Sequence, residues 1–211
     1  MSRSGWLVLG ALPLVLACSR AGTGESSSAA GNAAAPVAVA SAASAATAAP
    51  VVPAAALAVP AKGSSLLTVG ADVPDVAAPA QDGKVVHLRA LKGKPVIVYF
   101  YPKDDTPGCT IEAKGIRDQY AELNGRAVVL GVSEDSLDSH KAFATKYDLP
   151  FLLLDDTNHA LTTAFGVPLS MGHAKRVTFV IDAAGKVRKV FPDVNPSGHA
   201  TELLEALKGL S

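Results

Sequence analysis

Cysteine is almost missing from this chain: its 211 residues include only Cys18 and Cys109. No C-x-x-C occurs, which excludes a zinc ribbon and a dithiol redox pair of the thioredoxin type. The two cysteines lie in such different surroundings that a structural disulfide between them is unattractive. An excess of one charge is missing too. Nineteen Lys and Arg balance nineteen Asp and Glu, and without a basic block there is no electrostatic footing for nucleic acid. The histidines His87, His140, His159, His173 and His199 show no ligand spacing, so no metal site is expected. A long apolar run is also absent. Residues 6–17 make a 12-residue run, short of the roughly 20 apolar residues of a spanning helix.

The N-terminus reads as an export signal, with Arg3 supplying the charge and residues 6–17 the apolar segment. It ends Leu14-Val15-Leu16-Ala17-Cys18, which is similar to the bacterial lipobox, where cleavage before the cysteine follows lipid attachment to its sulfur. Two products stay open: a lipidated Cys18, or an ordinary signal peptide cut after a small residue. Residues 1–18 direct export in both. Ser19 follows Cys18 where inner-membrane retention uses Asp, so the expected address is the periplasmic side, lipid-anchored to the outer membrane. Residues 19–65 are Ala, Ser and Val runs interrupted by Pro36, Pro50, Pro53 and Pro60, with too little to bury for a stable core. As a flexible coil, about 47 residues reach roughly 35–40 Å root mean square. The segment is a tether, or a spacer with no further role.

Residues 66–211 carry globular patterning, a single domain in length. Residues 76–81 and 84–88 flank Asp82-Gly83, a hairpin signal. Residues 94–101 and 127–132 are continuous apolar strands. A helix is expected over 109–123, with Ala113, Ile116, Tyr120 and Leu123 on one face, and another over 136–147, with Asp135 as its cap. A strand at 151–154, a short helix at 159–165, an antiparallel pair at 176–181 and 186–191 around Ala184-Gly185, and a last helix from Ala200 complete the body. Doubly buried strands alternating with helices predict an α/β fold, a mixed sheet covered on both faces.

The informative stretch is KPVIVYFYPKDDTPGCTIEAKGIR, residues 94–117. A buried strand breaks at Pro102 into a polar loop that ends Pro107-Gly108-Cys109, and a helical pattern follows at once. Free cysteine is often an inert buried hydrophobe. A thiol at a helix N-terminus, however, faces backbone N–H groups and the positive end of the macrodipole, which favour its anion. Cys109 is therefore read as a reactive thiol.

The segment YPKDDTPGCTIEA resembles the active-site signature of peroxiredoxins (Pro, three residues, Thr or Ser, two residues, Cys) at Pro102, Thr106 and Cys109. With GVSEDSLDSHKAF at 131–143 and LPFLLLDD at 149–156, residues 67–210 resemble the bacterioferritin-comigratory, or peroxiredoxin Q, subgroup. The resemblance implies a thioredoxin-like fold and reduction of hydrogen peroxide and organic hydroperoxides, with no cofactor and no metal. Cys109 would attack a peroxide oxygen and become a sulfenic acid. Thr106 would offer its hydroxyl to the sulfur and the peroxide, unless it only closes the loop. Pro102 would wall the pocket from water or merely end the strand. Arg176 is similar in placement to the family's active-site arginine, the alternative being a surface ion pair. Glu112 resembles a position that orients this arginine or the loop. Asp104 and Asp105 are expected to be solvated, and Arg117 to lie outside the site.

A thiol with its ordinary pKa is already a few per cent ionised at neutral pH, so complete ionisation gains at most about 30-fold, roughly 2 kcal/mol. Donors that position the peroxide and receive charge on its leaving oxygen must supply the rest. Many subgroup members place a resolving cysteine five residues after the reactive one; here that position is Lys114. A one-cysteine cycle is therefore expected, with an external thiol reductant, a thioredoxin-like protein or a small thiol, as partner. The expected assembly is a monomer or weak dimer, attached to the membrane only through its N-terminal lipid. A peroxide-sensing relay or binding module with little turnover is the alternative function.

Overall fold

The computed structural model describes residues 65–210; the expected leader at 1–18, Cys18 and nearly all of the 19–65 linker lie outside the described residues. The chain is built around β3 (Val96–Phe100), whose sequence VIVYF is buried at every position. β-branched and aromatic residues favour a pleated surface, and alternate side chains leave opposite faces. Val96, Val98 and Phe100 enter one core, while Ile97, Tyr99 and Tyr101 enter the other. Two cores need one strand that is apolar throughout, which is why β3 reads as a continuous run rather than an alternating one.

Neighbouring elements follow in chain order. β1 (Ala77–Pro79) and β2 (Val85–His87) form the antiparallel hairpin expected around Asp82-Gly83, a separate two-stranded sheet. After β3 come α1 (Pro107–Asp118), α2 (Tyr120–Arg126) and β4 (Val128–Ser133). Then follow α3 (Leu137–Tyr147), β5 (Leu152–Asp155) and α4 (Ala160–Phe165). β6 (Leu169–Ser170), β7 (His173–Ala174), β8 (Val177–Ile181), β9 (Val187–Phe191) and α5 (His199–Leu207) complete the body. The main sheet runs β5-β4-β3-β8-β9, parallel from β5 to β3 and antiparallel from β3 to β9. This is the thioredoxin-like mixed sheet flanked by helices that the sequence led us to expect. One core gathers α4, β1 and β2; the other gathers α1, α2, α3 and α5.

Three local expectations need correction. The helix expected over 109–123 begins earlier, at Pro107, whose fixed φ and missing N–H suit a first helical residue. It also breaks at Gln119 (φ −107°, ψ 11°) into α1 and α2. The cap of α3 is Ser136, whose Oγ accepts from the Ser139 N–H at 3.4 Å. Asp135 instead accepts from Ser133 Oγ and from the Asp104 N–H, both at 2.8 Å, so its carboxylate ties β4 to the loop after β3. The β6–β7 hairpin was not foreseen. Its turn places Met171 (φ 51°) and Gly172 (φ 82°) in left-handed conformations, a geometry usually marked by Asn-Gly or Asp-Gly rather than Met-Gly.

β4 carries Gly131 opposite Tyr99, where a Cβ would stand 2.7 Å from both the Tyr99 hydroxyl and Leu153 Cδ2. Gly131→Ala is expected to cost about 1–3 kcal/mol by overpacking, read as a fall in urea midpoint at unchanged m-value. The Tyr99 hydroxyl is buried without a partner, so Tyr99→Phe is expected to be near neutral and to recover part of that loss in the double variant.

Candidate active site

Strand β3 delivers its last sheet bond from Tyr101 N–H to Val132 C=O (3.0 Å), and Pro102, with no N–H to donate, ends the ladder. The loop then turns through Asp105, held at φ 56°. The first helical bond of α1 runs from Thr110 N–H to Thr106 C=O at 2.9 Å, which makes Cys109 the third residue of the helix. Thr106 gives no side-chain cap, so the N–H groups of Gly108 and Cys109 are left unengaged by it at the helix mouth.

Cys109 is a free thiol, 2 % exposed. Arg176, immediately before β8, donates from Nη2 to its Sγ at 3.0 Å. The other arm of the same guanidinium donates from Nη1 to Glu112 Oε2 at 2.5 Å. β8 pairs with β3 so that Val177 faces Phe100, and this register puts Arg176 beside the loop that leads to the cysteine. The approach is close. A Cβ on Gly108 would lie 2.8 Å from Arg176 Nη2, so the glycine before the cysteine leaves room for the guanidinium.

Glu112 is only 1 % exposed. Burial pushes its carboxyl up from 4.5 to about 7, with Arg176 pulling in the opposite direction. Its second oxygen has no hydrogen-bond partner; His199 Nε2 stands 3.9 Å away. That imidazole bonds Thr178 Oγ1 at 2.9 Å, and burial pushes it down to about 4 against the opposing pull of Glu202.

The structure brings Cys109, Arg176 and Glu112 into direct contact. The Thr106 hydroxyl donates to Lys103 C=O at 3.0 Å, closing the loop, and Pro102 is half-buried beside it. Arg117 bonds Tyr147 C=O and Asp118 away from the sulfur, and Lys114 is exposed on α1. Asp105 is exposed as expected, paired with Lys146 and bonded by Tyr147. Asp104 contradicts its expected place in solvent. It is 7 % exposed, accepting from Tyr101 Oη, Ser139 Oγ and His140 Nδ1 at 2.7, 2.8 and 2.9 Å. Spacing along the chain does not reveal the partners of His140 and His199, because Asp104 and Thr178 lie 36 and 21 residues away and become neighbours only in the fold. Among the described residues, no group of three or more His, Cys, Asp or Glu is arranged to hold a metal ion.

Residues 69–190 match the model of the AhpC/TSA family. A putative peroxiredoxin bcp of Coxiella burnetii is 42 % identical over 149 residues, covering 67 % of this chain and 99 % of that protein. The peroxidoxin BcpB of Mycobacterium tuberculosis superposes with a TM-score of 0.64 at 34 % identity, covering 69 % of this chain and 99 % of that one. The bacterioferritin comigratory protein of Xanthomonas campestris, whose structures concern alkyl peroxide reduction, gives 0.63 at 34 % identity, covering 69 % and 98 %.

Two expectations follow from the geometry. Gly108→Ala should displace the guanidinium and remove a charge-assisted bond to sulfur, slowing Cys109 alkylation at pH 7 about tenfold. Glu112 has a folded value raised above its unfolded 4.5, to about 7. Its contribution to stability is therefore complete below pH 4.5 and is lost as pH rises through 7. Glu112→Gln should flatten that slope when urea unfolding is compared at about pH 5 and about pH 8.

Proposed function

This chain belongs to the AhpC/TSA family, in its peroxiredoxin Bcp and Q branch, and is a thiol-dependent peroxidase; we propose that Cys109 is the peroxidatic sulfur of a one-cysteine cycle. The observation that carries this is the 3.0 Å bond from Arg176 to the Sγ of a cysteine in the first turn of a helix. In the first step the thiolate attacks one oxygen of hydrogen peroxide or an organic hydroperoxide. An S–O bond forms, the O–O bond breaks, and the sulfur pair reduces the peroxide. The departing oxygen takes a proton and leaves as water or alcohol, and Cys109 is left as sulfenic acid.

The same guanidinium that holds sulfur guides the peroxide, and Glu112 prevents it from swinging away. The Cys109 N–H and the Thr106 hydroxyl receive charge as it develops on the leaving oxygen, Thr106 exchanging its Lys103 bond for the substrate. Pro102 keeps water from the loop side. An external thiol then condenses with the sulfenic acid, releasing water, and a second thiol reduces the mixed disulfide. With Lys114 at the position of a resolver, a second peroxide competes with that thiol, and sulfinic acid is the failure product. We also propose that the body is exported and tethered to the outer membrane by lipid on Cys18, as a monomer or weak dimer.

Hydrogen peroxide and an alkyl hydroperoxide should each be consumed in step with dimedone-trappable sulfenic acid on Cys109. Cys109→Ser should consume neither. Repeated turnover with dithiothreitol is expected, and a stall after one equivalent would instead favour a sensor. Arg176→Ala should lower the second-order rate with peroxide about a hundred- to a thousandfold, the scale for losing one preorganised donor. Labelling of whole cells with a palmitate analogue should mark the wild-type chain but not Cys18→Ser.

A further inference from the structure

The reacting groups are fixed from two different sides of the molecule. Arg176 holds the sulfur from β8. The loop that carries Pro102 and Thr106 is pinned to α3 and β4. Asp104, midway between those two residues, accepts from Tyr101 Oη, Ser139 Oγ and His140 Nδ1, and its N–H donates to Asp135 Oδ2. The next residue, Asp105, takes Lys146 Nζ and Tyr147 Oη from the far end of α3.

His140 is fully buried, and its Nε2 faces the Leu154 carbonyl of β5 at 3.1 Å. A carbonyl can only accept, so Nε2 donates. Nδ1 can then bond the Asp104 carboxylate only with a proton between them. That carboxylate already accepts two hydroxyls, so both of its oxygens are engaged in a buried polar network. A buried polar network is seldom a net gain over well-packed apolar side chains, so stability alone is a weak reason for this arrangement. What it does provide is a fixed register between the loop and α3.

We propose that Asp104 and His140 are positioning residues for the peroxide reaction: their pair locks residues 102–106 onto α3 and so sets where Pro102 and Thr106 stand relative to a sulfur held independently by Arg176. Loss of the pair leaves the nucleophile in place and misplaces the groups that receive the substrate.

Two second-order rates at Cys109 of the full chain separate these effects: oxidation by hydrogen peroxide, which needs both sides, and alkylation by iodoacetamide, which samples the sulfur. Asp104→Asn and His140→Asn should each lower the ratio of oxidation to alkylation about tenfold or more, the scale of a small misplacement of reacting groups. Ser139→Ala removes one of the three side-chain partners of Asp104 and leaves its contact with His140. It should lower the ratio about two- to fivefold, the worth of one hydrogen bond, and it carries the test where the other two do not fold. Leu161→Ala opens the core on the opposite face of the sheet and controls for general destabilisation; its ratio should stay at the wild-type value. An unchanged ratio in Ser139→Ala and in whichever of the other two variants fold, or an equal fall in Leu161→Ala, overturns the proposal. The inference rests on the peroxidase reading, and the parent protein distinguishes the failures. A parent inert to peroxide removes both, whereas a reactive parent with unaffected variants removes this inference alone.

Discussion

One guanidinium is shared between two buried groups, a sulfur and a carboxylate, and the local architecture follows from that sharing. Arg176 reaches Cys109 with Nη2 and Glu112 with Nη1, and its planar fork suits two acceptors at a fixed spacing better than an ammonium would. Cys109 and Glu112 lie three apart on α1, so one helical turn presents both to the same side. The cation has to come from another element. β8 supplies it because its antiparallel pairing with β3 ends beside the loop that begins α1. Gly108 completes the fit by having no side chain where the guanidinium passes.

Sharing has an electrostatic consequence. If Glu112 were fully ionised, Arg176 would be largely neutralised before sulfur gained from it. Burial opposes that outcome by raising the carboxyl to about 7, so near neutral pH the glutamate grips the arginine without cancelling its whole charge. The layer behind it has the same character: His199, sealed next to Glu112 and bonded to Thr178, is held well below its ordinary value by burial. The site thus keeps a cation against a buried sulfur, where water screens it less than at an open surface.

Much of this was legible from one stretch of sequence. A run such as VIVYF that feeds both cores has to be a central strand, and the break at Pro102 followed by Pro107-Gly108-Cys109 has to end that strand and start a helix. The hairpin at Asp82-Gly83 was legible for the same local reason, a turn dipeptide with a preferred geometry. What escaped was tertiary. Asp104 reads as one of two acidic loop residues, and nothing near it says that Ser139 and His140 approach from α3. Asp135 sits where a helix cap belongs but serves the loop, because Ser136 already caps α3. The β6–β7 hairpin was hidden by a methionine, 98 % exposed, in a turn position that seldom accepts one.

Burial of the sulfur also constrains how another thiol can reach it. At 2 % exposure, Cys109 offers almost no surface, so a protein thiol has to bring its own sulfur past the neighbouring groups to bonding distance. The obstacles are the first turn of α1 and the guanidinium, and the two are joined through Glu112. Separating a buried charge pair by removing one partner costs about 3–5 kcal/mol, which bounds how freely that turn can open while both groups stay charged. Protonating Glu112 lowers the cost, because the arginine then leaves a neutral carboxyl rather than an anion. The carboxyl that orients the arginine is thus also a group whose protonation state bears on how readily the sulfur can be reached.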